Sequence, residues 1–151
     1  VAPLAAGSGY LMHAQTFSHH AVTCAAAVAT LDYMERHQLV PRCARMGAIL
    51  HRRLQRLLEL PGVGDVRGRG LLAGVEFVAD KATRAPFPRA DRLAERFTAA
   101  AQEAGLIVWP NVGQADGVNG DLAMLAPPFI ITEEEIDEIV ERFSRALRAV
   151  T

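Results

Sequence analysis

The chain has 151 residues, a formal net charge of −1 and 50% hydrophobic residues, a composition typical of one globular domain with a buried core. A charge this close to zero gives no broad reason to bind nucleic acid or anionic lipid, so neither is expected as a partner. The most apolar run, 21–31, is alanine-rich and interrupted by threonine, so no membrane span is expected. Cys24 and Cys43 lack C-x-x-C spacing and are interpreted as reduced core thiols of a cytoplasmic protein.

The first half of the chain predicts a loop, two helices and two strands. Residues 1–20 follow no period and are interpreted as irregular. Alanine favours a helix from Ala21 to about Arg36, and an apolar stripe predicts a second helix over 40–58. Residues 63–67 and 71–78 are predicted to be strands joined around the turn "GRG".

The second half predicts two further helices and two short strands. Residues 90–104 have a helical apolar stripe, and 106–109 and 122–126 are typical of strands. Thr132 followed three residues later by Glu135 is a capping box that starts the last helix. These elements together predict an α+β fold, with helices packed on one face of a small, mostly antiparallel sheet.

The glycines of "GRGLLAG" invite comparison with a phosphate-binding loop. Their spacing is wrong by one, and a phosphate loop must open a helix, whereas a strand is predicted here. A tight turn that leads into a strand is the favoured interpretation. The carboxylates of residues 133–137 are explained by the dipole at a helix N-terminus, without catalysis.

Three histidines, His13, His19 and His20, could in principle bind a metal. No cysteine, aspartate or glutamate between Val1 and Cys24 completes a ligand set, so a polar loop with one packed histidine is favoured and no metal is expected. Composition and spacing alone leave the chemistry open.

The whole chain resembles the C-terminal third of class III aminotransferases, which are pyridoxal-phosphate enzymes of fold type I. Four stretches carry the resemblance, in the family's order: "GSGYLMHAQTFSHHAVTCAAAVATLDYME", "GVGDVRGRGLLAGVEFVADKATRAPF", "AGLIVWPN" and "LAPPFIITEEEIDEIVERF". The resemblance implies the small C-terminal domain of a homodimeric enzyme. That enzyme would transfer an amino group between an amine or ω-amino acid and a keto acid.

The resemblance also implies a division of the chain and a cofactor contact. Residues 1–20 would be a cofactor and interface loop of a large domain outside this chain, 21–38 a connecting alanine-rich helix, and 39–151 the small α+β domain. Thr16, flanked by Phe17, matches the threonine that hydrogen-bonds the phosphate of the pyridoxal 5′-phosphate held by the partner subunit. Short, fixed donors suit a dianionic phosphate.

The family's Schiff-base lysine has no counterpart in this chain. Lys81, the only lysine, lies in the polar loop "DKATR", where nothing offers the burial that such a lysine needs. We therefore expect no catalytic residue on this chain, no tight cofactor binding and no activity from it alone. The alternative is a non-catalytic, stand-alone α+β module that dimerises or binds a ligand.

Two residues are candidates for the substrate pocket. Relatives that act on ornithine-like substrates carry an arginine two residues before "APP", where this chain has Met124, which suggests an amine or ω-amino acid substrate. Trp109 and the loop that follows it would border the substrate entrance. Arg67 and Arg69 are expected to hold the adjacent turn by ion pairs, or to contact substrate.

Overall fold

The computed structural model describes residues 2–7, 9, 10 and 14–151, apart from the side chains of Pro3 and Leu4. The chain divides into two compact units, Val1–Gln38 and Leu39–Thr151. No helix within the described ranges has the length and hydropathy that crossing a bilayer requires.

The described residues of the first unit form two helices, α1 (Ala2–Ala6) and α2 (Ala21–Arg36). The prediction that residues 1–20 are wholly irregular is therefore wrong over α1, where alanine favours helix and Pro3 falls in the tolerated first turn. No residue of α2 is buried. The interpretation of Cys24 as a core thiol is consequently also wrong, since it lies exposed on this helix.

The second unit combines three α-helices with one antiparallel sheet. Its elements are α3 (Leu39–Leu54), a 3-10 helix (Gln55–Glu59), β1 (Val63–Arg69), β2 (Leu72–Phe77), a 3-10 turn (Arg89–Asp91), α4 (Leu93–Glu103), β3 (Trp109–Asn111), β4 (Leu122–Leu125) and α5 (Glu133–Arg148). The strand order is β1-β2-β4-β3, and every neighbouring pair is antiparallel. The predicted α+β class is confirmed.

The core lies between the helices and one face of this sheet. Alternate residues of β2, namely Ala73, Val75 and Phe77, are buried with the apolar stripes of α3, α4 and α5. The ring of Phe77 lies 5.0 Å from that of Phe97, and Phe97 lies 4.6 Å from Phe143. These rings connect β2, α4 and α5. The three helices of this unit all contribute to this one core, and the opposite face of the sheet is here called the outer face.

The "GRG" turn between β1 and β2 packs closely on α3. A Cβ atom added to Gly47 of α3 would lie 2.4 Å from the backbone of Gly70, and one added to Gly70 would lie 3.0 Å from Cys43 Sγ. Gly70 has a φ of +56°, which glycine adopts without strain. Because a strand follows this turn, the phosphate-loop interpretation of "GRGLLAG" is excluded.

The start of α4 and the start of β3 both differ from their predictions. Helix α4 begins at Leu93 rather than Ala90 because its cap comes from a distant residue: the Ala94 amide donates to Asp121 Oδ2 at 3.0 Å. Asp121 is only 2% exposed. Pairing in β3 begins only at Trp109. Before it, Leu106 and Val108 are buried without a partner strand, and Ile107 is exposed.

Both edges of the sheet are interrupted. A β-bulge lies between Val63 and Asp65 on the edge strand β1, where the Val66 amide donates to Asp65 Oδ1 at 2.9 Å. The opposite edge strand β3 contains Pro110, which has no amide to donate. Such features limit pairing with a further strand.

The last helix has the predicted capping box, and an unpredicted arginine fixes the segment before it. The Thr132 amide donates to Glu135 Oε2 at 2.8 Å, and the Glu135 amide donates to Thr132 Oγ1 at 3.2 Å. The guanidinium of Arg42 in α3 donates to three successive carbonyls, those of residues 129, 130 and 131, at 2.7–3.0 Å. This arginine therefore ties α3 to the connection between β4 and α5.

Candidate functional site

Thr16 and Phe17 lie in an exposed turn that precedes α2. The Ser18 amide donates to the Gln15 carbonyl at 2.9 Å, and the Gln15 amide donates to Ser18 Oγ at 3.1 Å. The hydroxyl and amide of Thr16 have no partner in the described part of the chain, and the side chain of Phe17 is 76% exposed. The turn thus offers free, closely spaced donors, a donor set that fits a phosphate group.

His20 caps the N-terminus of α2. Its Nδ1 accepts from the Thr23 amide at 3.4 Å, and Thr23 Oγ1 donates to the His20 carbonyl at 2.8 Å. Among the described residues no three His, Cys, Asp or Glu side chains could hold a metal together, while His13 falls outside them. A capping role accounts for His20 without a ligand.

The two substrate-pocket candidates, Trp109 and Met124, are brought together on the outer face of the sheet. They are cross-strand partners in the β3–β4 ladder. Met124 is paired on its other side with Gly74 of β2, and Gly74 with Arg67 of β1. These four residues form one line across the sheet, which we call the outer row. Trp109, at one end of this row, is 69% exposed.

At the other end of the outer row, Arg67 is held by two carboxylates. Its Nη1 donates to Asp65 Oδ2 at 2.8 Å and also to Glu76. The hydrogen bonds that Arg67 donates to these two carboxylates, above all the one to Asp65, raise the pKa of its guanidinium. The predicted ion pairs are confirmed for Arg67. For Arg69 they are wrong, because it is exposed and has no ion pair in the described part of the chain.

Lys81 lies on the surface of the second unit, as expected. Its Nζ donates to the carbonyl of Leu58, near the end of the 3-10 helix that follows α3. The residue is exposed, and Asp80 beside it accepts from the Ala82 amide at 2.8 Å. This surface contact gives Lys81 none of the burial that a neutral lysine needs.

Two contributors to this region carry no local sequence signal. Gly74 can be placed beside Met124 only once the strand order β1-β2-β4-β3 is known, because β2 and β4 are far apart in the chain. Asp121, the residue before β4, ties the end of the preceding loop to α4, because its buried carboxylate accepts from the Ala94 amide. A single acidic residue after a glycine does not reveal such a role.

Comparison with known proteins decides the family. The family described as Aminotransferase class-III matches residues 2–147 of this chain. The chain belongs to the class III aminotransferases. The uncharacterized aminotransferase YodT of Bacillus subtilis is 37% identical to this chain over 145 residues, which cover 95% of this chain and 33% of YodT.

Solved transaminase structures share the fold of this class III aminotransferase chain. An (S)-enantioselective omega-transaminase from Thermomicrobium roseum has a TM-score of 0.80 at 37% identity, covering 97% of this chain and 31% of that one. A PLP-bound amine transaminase from an uncultivated Pseudomonas species has a TM-score of 0.81 at 34% identity, covering 95% and 31%. The chain therefore spans about a third of the length of these relatives.

Proposed function

We propose that the protein containing this chain is a pyridoxal-phosphate-dependent aminotransferase. It would transfer an amino group between an amine or ω-amino acid and a keto acid. The observation that carries the proposal is membership of the class III family over residues 2–147, together with the likeness to omega-transaminase structures. The residues on this chain would bind and orient, while the cofactor lysine would lie outside it.

The turn around Thr16 would bind the phosphate of the cofactor. The free hydroxyl and amide of Thr16 would donate to phosphate oxygens, and the exposed Phe17 would pack beside them. When bound, pyridoxal 5′-phosphate supplies the electron sink that lets a proton leave the carbon carrying the amine. Thr16 would position the phosphate and stabilise it through hydrogen bonds only.

Trp109 and Met124 would form an apolar wall of the substrate site. Their side chains share the outer face of the sheet and would exclude water from the substrate. Met124 brings no charge to this wall, which favours an amine or ω-amino acid over a substrate whose carboxylate must be clamped there.

We also propose a cytoplasmic homodimer. The support is the resemblance of the turn at residues 14–20 to the family loop that reaches the partner subunit's cofactor, together with exposed apolar side chains along α2. Residues 1–20 would then form the cofactor and interface loop, 21–38 the connecting helix, and 39–151 the small domain. Cys24 and Cys43 are free thiols, as a reducing compartment favours.

The first test is the length of the native polypeptide, by intact mass of the endogenous protein or by the reading frame upstream of Val1. We expect an upstream segment with a lysine after an apolar strand. Replacing that lysine should abolish the absorbance of the lysine-bound cofactor. A native chain that begins near Val1 would contradict the proposal and favour the stand-alone, non-catalytic module.

Replacing Thr16 tests the phosphate contact. Thr16→Val removes the hydroxyl at nearly constant volume, and a hydrogen bond to a charged group is worth ~1.5–3 kcal/mol. Cofactor affinity of the complete protein should fall about tenfold or more. Thr16→Ser keeps the hydroxyl and should bind within about twofold of the original protein. Equal affinity of Thr16→Val would show that the Thr16 hydroxyl does not bind the phosphate.

A further inference from the structure

Gly74 is a glycine that the fold of this unit does not require. It sits inside β2, between Met124 and Arg67 in the outer row, and its φ lies outside the left-handed region. A Cβ atom added there would meet only the Arg67 carbonyl oxygen, at 3.9 Å, which is an ordinary contact. By contrast, Gly64 of β1 has no such room, because its Cβ would lie 2.5 Å from Val78.

Glycine inside a strand is destabilising relative to alanine and often marks a close approach to the backbone by something else. At Gly74 the outer face therefore has a notch, and only backbone atoms form its floor. Met124 and Trp109 border it toward one edge of the sheet, and Arg67 borders it toward the other. No helix of the second unit packs on this face.

The notch suits an uncharged group. The Arg67 guanidinium is already engaged by Asp65 and Glu76, so the end of the row beyond the notch carries one cation and two anions. A substrate carboxylate at that place would meet net negative charge, whereas an apolar group would contact Met124 and flat backbone.

We propose that Gly74 is a specificity-determining position, whose notch receives an uncharged aryl or branched alkyl group of the amine donor. This inference rests on the proposed function, because it places the amine against the wall formed by Trp109 and Met124. Gly74 itself does no chemistry; it provides space that any larger residue would fill.

The test compares two amine donors, 1-phenylpropylamine and isopropylamine, with the complete, cofactor-loaded protein. Gly74→Val fills the notch, and loss of room for a methylene-sized group changes discrimination by about 10–200-fold. The ratio of kcat/KM for 1-phenylpropylamine to that for isopropylamine should therefore fall about tenfold or more. Gly74→Ala should lower it by less and in the same direction.

The matched control is Ala99→Leu, which adds the same three carbons on the exposed side of α4, at the helical face of the unit. It should leave the ratio unchanged. If Gly74→Val lowers the melting temperature, the kcat/KM ratio of Gly74→Ala decides whether the notch receives the larger group. An unchanged ratio in both Gly74 variants overturns this inference alone. If the wild-type protein transfers an amino group from neither amine, the proposed function is overturned as well.

Discussion

At the scale of single residues, the ion pair between Arg89 and Glu95 joins the 3-10 turn before α4 to the first turn of that helix. Arg89 Nη1 donates to Glu95 Oε2 at 3.0 Å, and a second contact joins Nη2 to Oε1. Hydrogen bonding by Arg89 lowers the pKa of Glu95 from 4.5 to about 2. Because both side chains are about one-third exposed, solvent screens the pair and its contribution to stability is modest.

This pair predicts part of the acid sensitivity of the protein. A carboxyl whose pKa is lower in the folded state stabilises the fold above its unfolded pKa of 4.5, and that contribution is lost as the pH falls from 4.5 toward 2. We expect Glu95→Gln to remove this part of the pH dependence of the free energy of unfolding. Urea denaturation at several pH values would measure it.

The control for the acid experiment is Glu141→Gln on α5. Glu141 is exposed and has no ion pair among the described residues. Its replacement should leave the slope of stability against pH close to that of the original chain. Equal slopes for Glu95→Gln and the original chain would show that the Arg89 contact contributes nothing in solution.

At the scale of elements, the crossing of the β1–β2 turn over α3 depends on the missing side chain of Gly47. The Cβ of Gly47→Ala would lie 2.4 Å from Gly70 carbonyl atoms, and backbone cannot rotate away as a side chain can. Overpacking of this kind costs ~1–3 kcal/mol, more than alanine gains from helix propensity. We therefore expect a lower free energy of unfolding by chemical denaturation.

A second substitution in α3 separates packing from propensity. Ala48, next to Gly47, is exposed, so Ala48→Gly changes only the helix propensity and should cost at most ~1 kcal/mol. If Gly47→Ala proved as stable as the original chain, the turn would have to sit further from α3 than the structure places it.

Sequence reasoning succeeded for elements whose signals are local. The capping box of Thr132 and Glu135 and the apolar stripes of α3 and α4 are confirmed, because each is set by residues within a few positions of one another. The predicted start of α4 is wrong because the residue that caps this helix, Asp121, lies far along the chain. The pairing of Trp109 with Met124 likewise needed the register of the sheet, which no local pattern specifies.

At the scale of the whole molecule, α2 is a helix rich in small and apolar residues that has none of them buried. Val22, Val28 and Leu31 are each more than half exposed. Burial of one such side chain is worth ~1.5–3 kcal/mol, so a partner surface would stabilise this helix substantially. We expect the 151-residue chain to self-associate, as sedimentation equilibrium would show.

A charge placed on α2 should weaken that association. Leu31→Glu removes apolar area and adds an anion that would be buried at an interface, so the dissociation constant should rise about tenfold or more. Glu103→Gln, a neutral replacement at the end of α4 in the other unit, serves as the control and should leave the constant unchanged. Monomeric behaviour of the original chain at high concentration would contradict the expectation.

The interrupted edges of the sheet have a consequence for how molecules of this protein can accumulate. The bulge and the Asp65 contact on β1, and Pro110 on β3, leave no regular ladder of free amides for another strand. Growth by stacking strands into cross-β fibrils is therefore discouraged at both ends. If concentrated samples cluster, the particles should keep the native α+β secondary structure and dissolve again on dilution, without thioflavin T fluorescence.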